Sequence, residues 1–298
     1  MKLRIRHDTH YRYSAPVSLS QHHLYLRPRE HSGQRVTAFD LRIEPASAKI
    51  SRGRDPLDNE LWEARFPDET EHLFVRAESE VETLETNPFD FVLKSYALEF
   101  PFEYEPVFKF PLAPYLAPPF PETQRRLQQW LDEHFAEHPR NTVEMLSAFN
   151  SLIFDTLRYS RREEHGIQSS IDTLTSRSGA CRDFAVLFVE LCRTLGLAAR
   201  FVSGYLFAPP DDNHRTAGAM HAWVEIYLPG AGWKALDPTH GVWCDDLFVA
   251  VAHGAQADTV NPVQGKIYAD QPVTAKLEVD VTIEPVSAPT KNQIQSAD

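Results

Sequence analysis

Residues 176–192 read SRSGACRDFAVLFVELC. After a small, polar lead-in the stretch turns apolar, with Phe184, Leu187, Phe188, Leu191 and Leu195 recurring at helical spacing up to Gly196. The spacing predicts a buried-face helix with a glycine C-cap. Its first turn holds Cys181, behind Ser178-Gly179-Ala180. Two readings of that cysteine are open. Most free cysteines are small buried hydrophobes. A cysteine at a helix start, however, faces the partial positive charge of unpaired amides, which favours the thiolate a nucleophile needs. The small residues before it leave room for a substrate carbonyl, while Asp183 slightly opposes an anionic sulfur.

Upstream, PETQRRLQQWLDEHFAEH places Leu127, Trp130, Leu131, His134 and Phe135 on one stripe. TVEMLSAFNSLIFDTLRY repeats the pattern and IDTLTSR predicts a shorter helix. Downstream, AARFVSGYLF, MHAWVEIYL, GWKALD, DLFVAVA and TAKLEVDVTIEP read as strands. Helices followed by strands predict an α+β core of helices on an antiparallel sheet over residues 111–285. Residues 1–110 alternate in short β-branched and aromatic runs broken at RPREHSG, RGRDPLDN and TNPFD, which predicts an antiparallel β-sandwich-like N-terminal domain. The proline-dense stretch 101–121 between them reads as an extended linker laid over a surface. Residues 286–298 read as a disordered tail.

Composition bounds the function. With 42% hydrophobic and 24% charged residues the chain is globular, and no apolar run approaches the roughly 18 residues of a membrane span. A net charge of −12 disfavours nucleic acid and anionic membrane as partners. The opening MKLRIRHDTHYRYSAPV shows no secretory pattern, and three scattered cysteines suit a reduced, cytoplasmic setting. No cofactor or metal site is expected; the acidic runs are short. His7-x-x-His10 and His22-His23 are expected at strand surfaces or edges, and Cys192 and Cys244 in packing roles. The oligomeric state is not legible.

Two further segments bear on Cys181. In AMHAWVEIYL, strand alternation puts His221, Trp223 and Glu225 on one face, so His221 and Glu225 lack the helical geometry of a metal pair. In GWKALDPTHG, Asp237 ends the next strand before Pro238 and can pair across from the His221 region. A carboxylate there can hold an imidazole N–H, the orienting part of a catalytic triad. Taken singly, a strand histidine and an Asp-Pro turn are usually structural.

The motifs together are similar to those of the bacterial transglutaminase-like family, a branch of the papain-like cysteine enzymes. GACRDFA resembles the family's nucleophile motif, MHAWVEIYLPGAGWKALDPT its histidine and aspartate motifs, and HDTHYRYSAPVSLSQHHLYLRPR its β-rich N-terminal domain. The resemblance covers roughly residues 1–284. It implies Cys181 as nucleophile, His221 as base then acid, and Asp237 as its orienting partner. It implies thiol-dependent hydrolysis of a peptide or protein amide, as in a cysteine protease or isopeptidase, through a thioester. Glutamine transamidation is an alternative outcome of the same thioester, and a non-catalytic binding module is the third reading. One departure stands out: where relatives carry a GRDY-like stretch, residues 252–265 read AHGAQADTVNPVQG, in which Asp258 to Pro262 still fit the pattern and Gly254 to Ala257, at what would be the cleft edge, do not.

Overall fold

The computed structural model describes residues 1–160, 166–208 and 219–286; the tail expected over 286–298 therefore lies, from 287 on, outside the described residues. The N-terminal strands are β1 (Lys2–Leu19), β2 (His22–Leu24), β3 (Gln34–Glu44), β4 (Lys49–Arg54), β5 (Glu60–Arg65) and β6 (Thr70–Thr83). They form two antiparallel layers, one with β6 between β1 and β3, the other with β5 between β2 and β4. The period-two pattern of β1 and β6 turns Tyr13, Val17, Leu73 and Val75 inward, where they meet Leu24, Ile43 and Ala64.

The proline-dense stretch departs from the expected linker. Pro106–Leu116 is a helix, α1. Pro106 occupies its first turn, where the missing N–H costs no bond, while Pro111 and Pro114 do remove donors. Burial offsets that loss: Leu112 and Tyr115 close over Tyr104 and Ala198, and the Tyr115 ring lies edge-on to Trp233 at 5.0 Å. Sequence pattern undervalued this packing because proline argues so strongly against helix.

The remaining helices are α2 (Pro121–His134), α3 (Thr142–Thr156), α4 (Ser170–Ser176) and α5 (Cys181–Thr194). Two short strands, β7 (Arg158–Tyr159) and β8 (Ser178–Gly179), pair in parallel just before α5. Of the predicted stripe of α2, Leu127, Leu131 and Phe135 are buried and Trp130 is half-buried against the same core, whereas His134 is exposed and stacks on the Trp130 ring at 4.8 Å. Gly196 takes φ +82 after α5, the left-handed conformation its role requires.

The central sheet comprises β9 (Ala199–Leu206), β10 (Ala219–Leu228), β11 (Gly232–Asp237), β12 (Val242–Trp243) and β13 (Phe248–Gly254). Its order is β12-β11-β10-β9-β13, antiparallel throughout. Ala222, Val224 and Ile226 of β10 pack with Phe184, Leu187 and Phe188 of α5 in the main core, which also takes in Leu3, Ile5 and Val81 from the N-terminal layers. The last strands are β14 (Val263–Gln264), β15 (Ile267–Tyr268) and β16 (Ala275–Pro285). Here the strand 275–285, expected on the core's sheet, lies elsewhere: β16 pairs with β1 over eleven residues. Its polar and apolar alternation suits an edge strand, and pattern alone cannot name the partner.

Two histidine expectations are also corrected. His7 and His22 are buried, because β1 and β2 turn them inward. The Nδ1 of His7 lies 3.0 Å from the Tyr205 hydroxyl and its Nε2 lies 3.1 Å from Thr9 Oγ1. At the same junction Arg29 donates to Nδ1 of His253 at 3.0 Å. Burial pushes the pKa of both down, His7 to about 4 and His253 to about 3, the latter helped by Arg200 and Arg29. An unfolded chain binds these protons from about pH 6.5 downward, whereas the folded one resists, so stability falls as pH drops through that window. Each histidine costs about 1.4 kcal/mol per pH unit inside its window. The urea midpoint is expected to drop between pH 7 and pH 5; an unchanged midpoint contradicts this account.

Candidate active site

Local packing fixes where α5 begins. From β8 the chain passes through Ala180, in extended conformation, into the first helical residue, Cys181. Asp183 turns back: its Oδ2 accepts from the Ala180 amide at 2.9 Å and its Oδ1 from the Gln168 amide at 2.8 Å. A Cβ on Gly179 would come within 3.0 Å of the Asp183 Cβ. A side chain at 179 would therefore press on this cap. Cys181 itself is half-buried at the positive end of the helix.

The β10–β11 register then determines the partners. Val224 pairs with Leu236, so Asp237 is level with Trp223 and diagonal to His221 on the same sheet face. His221 Nε2 lies 2.8 Å from Asp237 Oδ2, with both side chains fully buried. A carboxylate only accepts, so Nε2 carries the proton and a neutral ring leaves Nδ1 bare. That Nδ1 is buried and closes no hydrogen bond, and the Cys181 thiol stands near enough to influence the ring's protonation. Burial pulls the pKa of His221 down; the charge and hydrogen bond of Asp237, reinforced by Cys181, outweigh it and raise it to about 10. For Asp237, burial favours the neutral acid, but His221 and then His240 hold its pKa below the usual carboxylate range.

His240 was not singled out by sequence. Its Nδ1 lies 2.6 Å from the same Asp237 Oδ2, and the Thr239 amide donates to Oδ1 at 2.8 Å. The turn after β11 folds over itself, with Gly241 N donating to the Asp237 carbonyl at 2.9 Å. From the other side α3 anchors β12: Trp243 Nε1 donates to Ser147 Oγ and Asn150 Nδ2 to the Val242 carbonyl. The signal was present as Asp-x-x-His around a proline turn, but such spacing is common in ordinary turns. Among the described residues, His221, Asp237 and His240 form the group whose ligand atoms lie close enough to share a metal. Their own N–H···O bonds already satisfy those atoms.

Behind the site, the Trp223 ring lies 6.1 Å from His221 and 5.4 Å from Phe248. A Cβ on Gly204 would meet the Trp223 ring at 2.5 Å and the Val249 carbonyl at 2.2 Å, so only glycine fits beneath that indole. Glu225, set aside above as a metal ligand, is buried between Arg29 and Arg200, with Arg200 Nη2 2.6 Å from its Oε2. This ion cluster borders a cavity of about 430 Å³ that also touches Trp223, Cys244 and Phe248, and that does not include Cys181. Cys192 and Cys244 are buried, and burial pushes both thiols well above their ordinary pKa. Gln168 donates its side-chain amide to Thr173 Oγ1, Ser176 Oγ and the Ser178 carbonyl. The departing stretch lines a groove with Val186, Val189 and Arg193, one to three turns along α5 from Cys181. Cys181 is not among the residues lining that groove.

Residues 3–82 match the bacterial transglutaminase-like N-terminal region and residues 129–238 the transglutaminase-like superfamily. An uncharacterized protein of Mycobacterium tuberculosis is 30% identical over 298 residues, covering 95% of this chain and 93% of its own. A protein-glutamine gamma-glutamyltransferase of Pseudomonas aeruginosa is 37% identical over 71 residues, 22% of this chain and 11% of that protein. Among solved structures, the "Putative Cysteine Protease" of Cytophaga hutchinsonii superposes with a TM-score of 0.73 at 22% identity, covering 97% of this chain and 92% of that one. This likeness bears on the fold.

Proposed function

The chain belongs to the bacterial transglutaminase-like family, and we propose that it is a thiol amide hydrolase acting on peptide or protein amides, with Cys181 as nucleophile, His221 as base then acid, and Asp237 as orienting group. The observation that carries this reading is the His221 ring, tied through Nε2 to Asp237 with the Cys181 thiol close enough to its other nitrogen to raise its affinity for a proton.

The chemistry follows from that arrangement. With its pKa raised to about 10, His221 holds at Nδ1 the proton taken from the Cys181 thiol, and the thiolate Sγ attacks an amide carbonyl, forming a C–S bond and a tetrahedral oxyanion. The Cys181 backbone N–H, free of helix bonding at the first position of α5, is a donor to that oxyanion. Collapse breaks the C–N bond, and the His221 imidazolium gives its proton to the leaving amine. Water, deprotonated by the same nitrogen, then releases the acid from the thioester and restores the thiol. Asp237 stabilises the imidazolium at each of these points.

A second reading replaces water with an amine. It draws on the gamma-glutamyltransferase of Pseudomonas aeruginosa, whose similarity spans a short segment. Incubation with glutamine-containing peptides, with and without a primary amine, separates the two by product mass. Hydrolysis adds water with loss of ammonia; transamidation gives the amine conjugate. Absence of both products, with no thioester mass on Cys181, rejects the enzyme reading.

A further inference from the structure

We propose that His240 is a positioning residue of the Cys181 site: its Nδ1–H holds the Asp237 carboxylate in the orientation that serves His221. The inference rests on the amidase reading above, and goes beyond it by adding a fourth side chain that never meets substrate.

Asp237 is fully buried, and its two oxygens face three donors: His221 Nε2 and His240 Nδ1 at Oδ2, and the Thr239 amide at Oδ1. A carboxylate with only the His221 and Thr239 bonds could tilt about its Cβ–Cγ bond and lengthen either one. The third donor, arriving at Oδ2 from the His240 side, opposes that tilt. Its approach is set by the chain: the Asp-Pro-Thr-His turn closes through the Gly241 amide, and Gly241 adopts φ +71 with Phe154 packed against it. The two imidazoles lie 5.3 Å apart at 57°, too tilted to stack, so what joins them is the shared oxygen. Because the acceptor is a carboxylate, Nδ1 must carry the proton in His240, as Nε2 does in His221. Each ring therefore donates, and the carboxylate is the hub through which His240 acts on His221 and thence on Cys181.

The test compares His240→Leu, which removes the donor, with His240→Asn, whose side-chain N–H₂ occupies the place of Nδ1–H. The rate of Cys181 alkylation by iodoacetamide near neutral pH is followed by peptide mass. His240→Leu is expected to slow it about tenfold to a hundredfold, the worth of a charge-assisted hydrogen bond, and His240→Asn to restore most of that loss. A packing role alone predicts no rescue by Asn. Equal rates in the wild type and His240→Leu overturn the proposal, as does equal slowing in both variants. Should His240→Leu fail to fold, His240→Ser, too short to reach the carboxylate, makes the same comparison. If wild-type Cys181 reacts no faster than an ordinary thiol, the amidase reading fails separately. The His221 ring ¹⁵N signals then decide: a change in His240→Leu reversed in His240→Asn supports the positioning role, and unchanged signals reject it.

Discussion

Cys181→Ala is expected to abolish amide turnover, by about a millionfold where background hydrolysis allows the comparison, while the melting temperature stays nearly constant. The large effect follows from chemistry: no other described thiol can replace it, since Cys192 and Cys244 are buried and held in the protonated form. The small effect on stability follows from position. Cys181 is half-buried at the first turn of α5, and alanine is a good residue there, so the change is within about 0.5 kcal/mol. Turnover and thermal unfolding on the same preparation check both halves. Retained activity in Cys181→Ala, or loss of activity in Cys244→Ala instead, contradicts the assignment.

Asp237→Asn is expected to lower turnover by about ten-thousandfold, the scale of losing a triad carboxylate elsewhere. Three donors converge on Asp237, from His221, His240 and Thr239. An asparagine offers one carbonyl oxygen and an N–H₂, so one of those donors must face another donor, at about 1–3 kcal/mol for the unmet buried group. With its carbonyl at the Oδ2 position the asparagine leaves the Thr239 amide facing N–H₂, turned the other way it faces both imidazoles, and in either case no negative charge remains to stabilise the His221 imidazolium. The pH dependence of stability supplies a second readout. A histidine raised from 6.5 to about 10 stabilises the fold fully below pH 6.5, and that contribution is lost as pH rises toward 10. Urea midpoints measured from pH 6.5 to 10 should decline in the wild type, and this His221 contribution to the decline should be absent in Asp237→Asn. Identical slopes would mean that Asp237 does not hold the imidazolium.

The particular residues show what a sequence discloses and what it hides. Periodicity located α5 and its glycine cap, and strand alternation placed His221 and Trp223 on one face, because both depend on local repeats. The hairpin between β10 and β11 brought Asp237 within reach of His221 because a short loop fixes register. Three features escaped. Helix α1 forms despite two internal prolines, since tertiary burial of Leu112 and Tyr115 outweighs local propensity. The partner of β16 is a strand more than 260 residues away in sequence, a choice no alternation pattern encodes. His240 reaches Asp237 through a turn whose closure depends on Gly241 and Phe154, and an isolated Thr-His-Gly gives no sign of it. Gly204, needed under the Trp223 ring, likewise reads as an ordinary strand glycine.

The measurement that bears most directly on Cys181 and His221 as a working pair is the rate of iodoacetamide labelling of each cysteine near neutral pH, mapped by peptide mass. Cys181 should react fast and selectively, and His221→Ala should bring it down to the rate of an unassisted thiol. Equal, slow labelling of Cys181, Cys192 and Cys244, or a Cys181 rate indifferent to His221→Ala, would contradict the account.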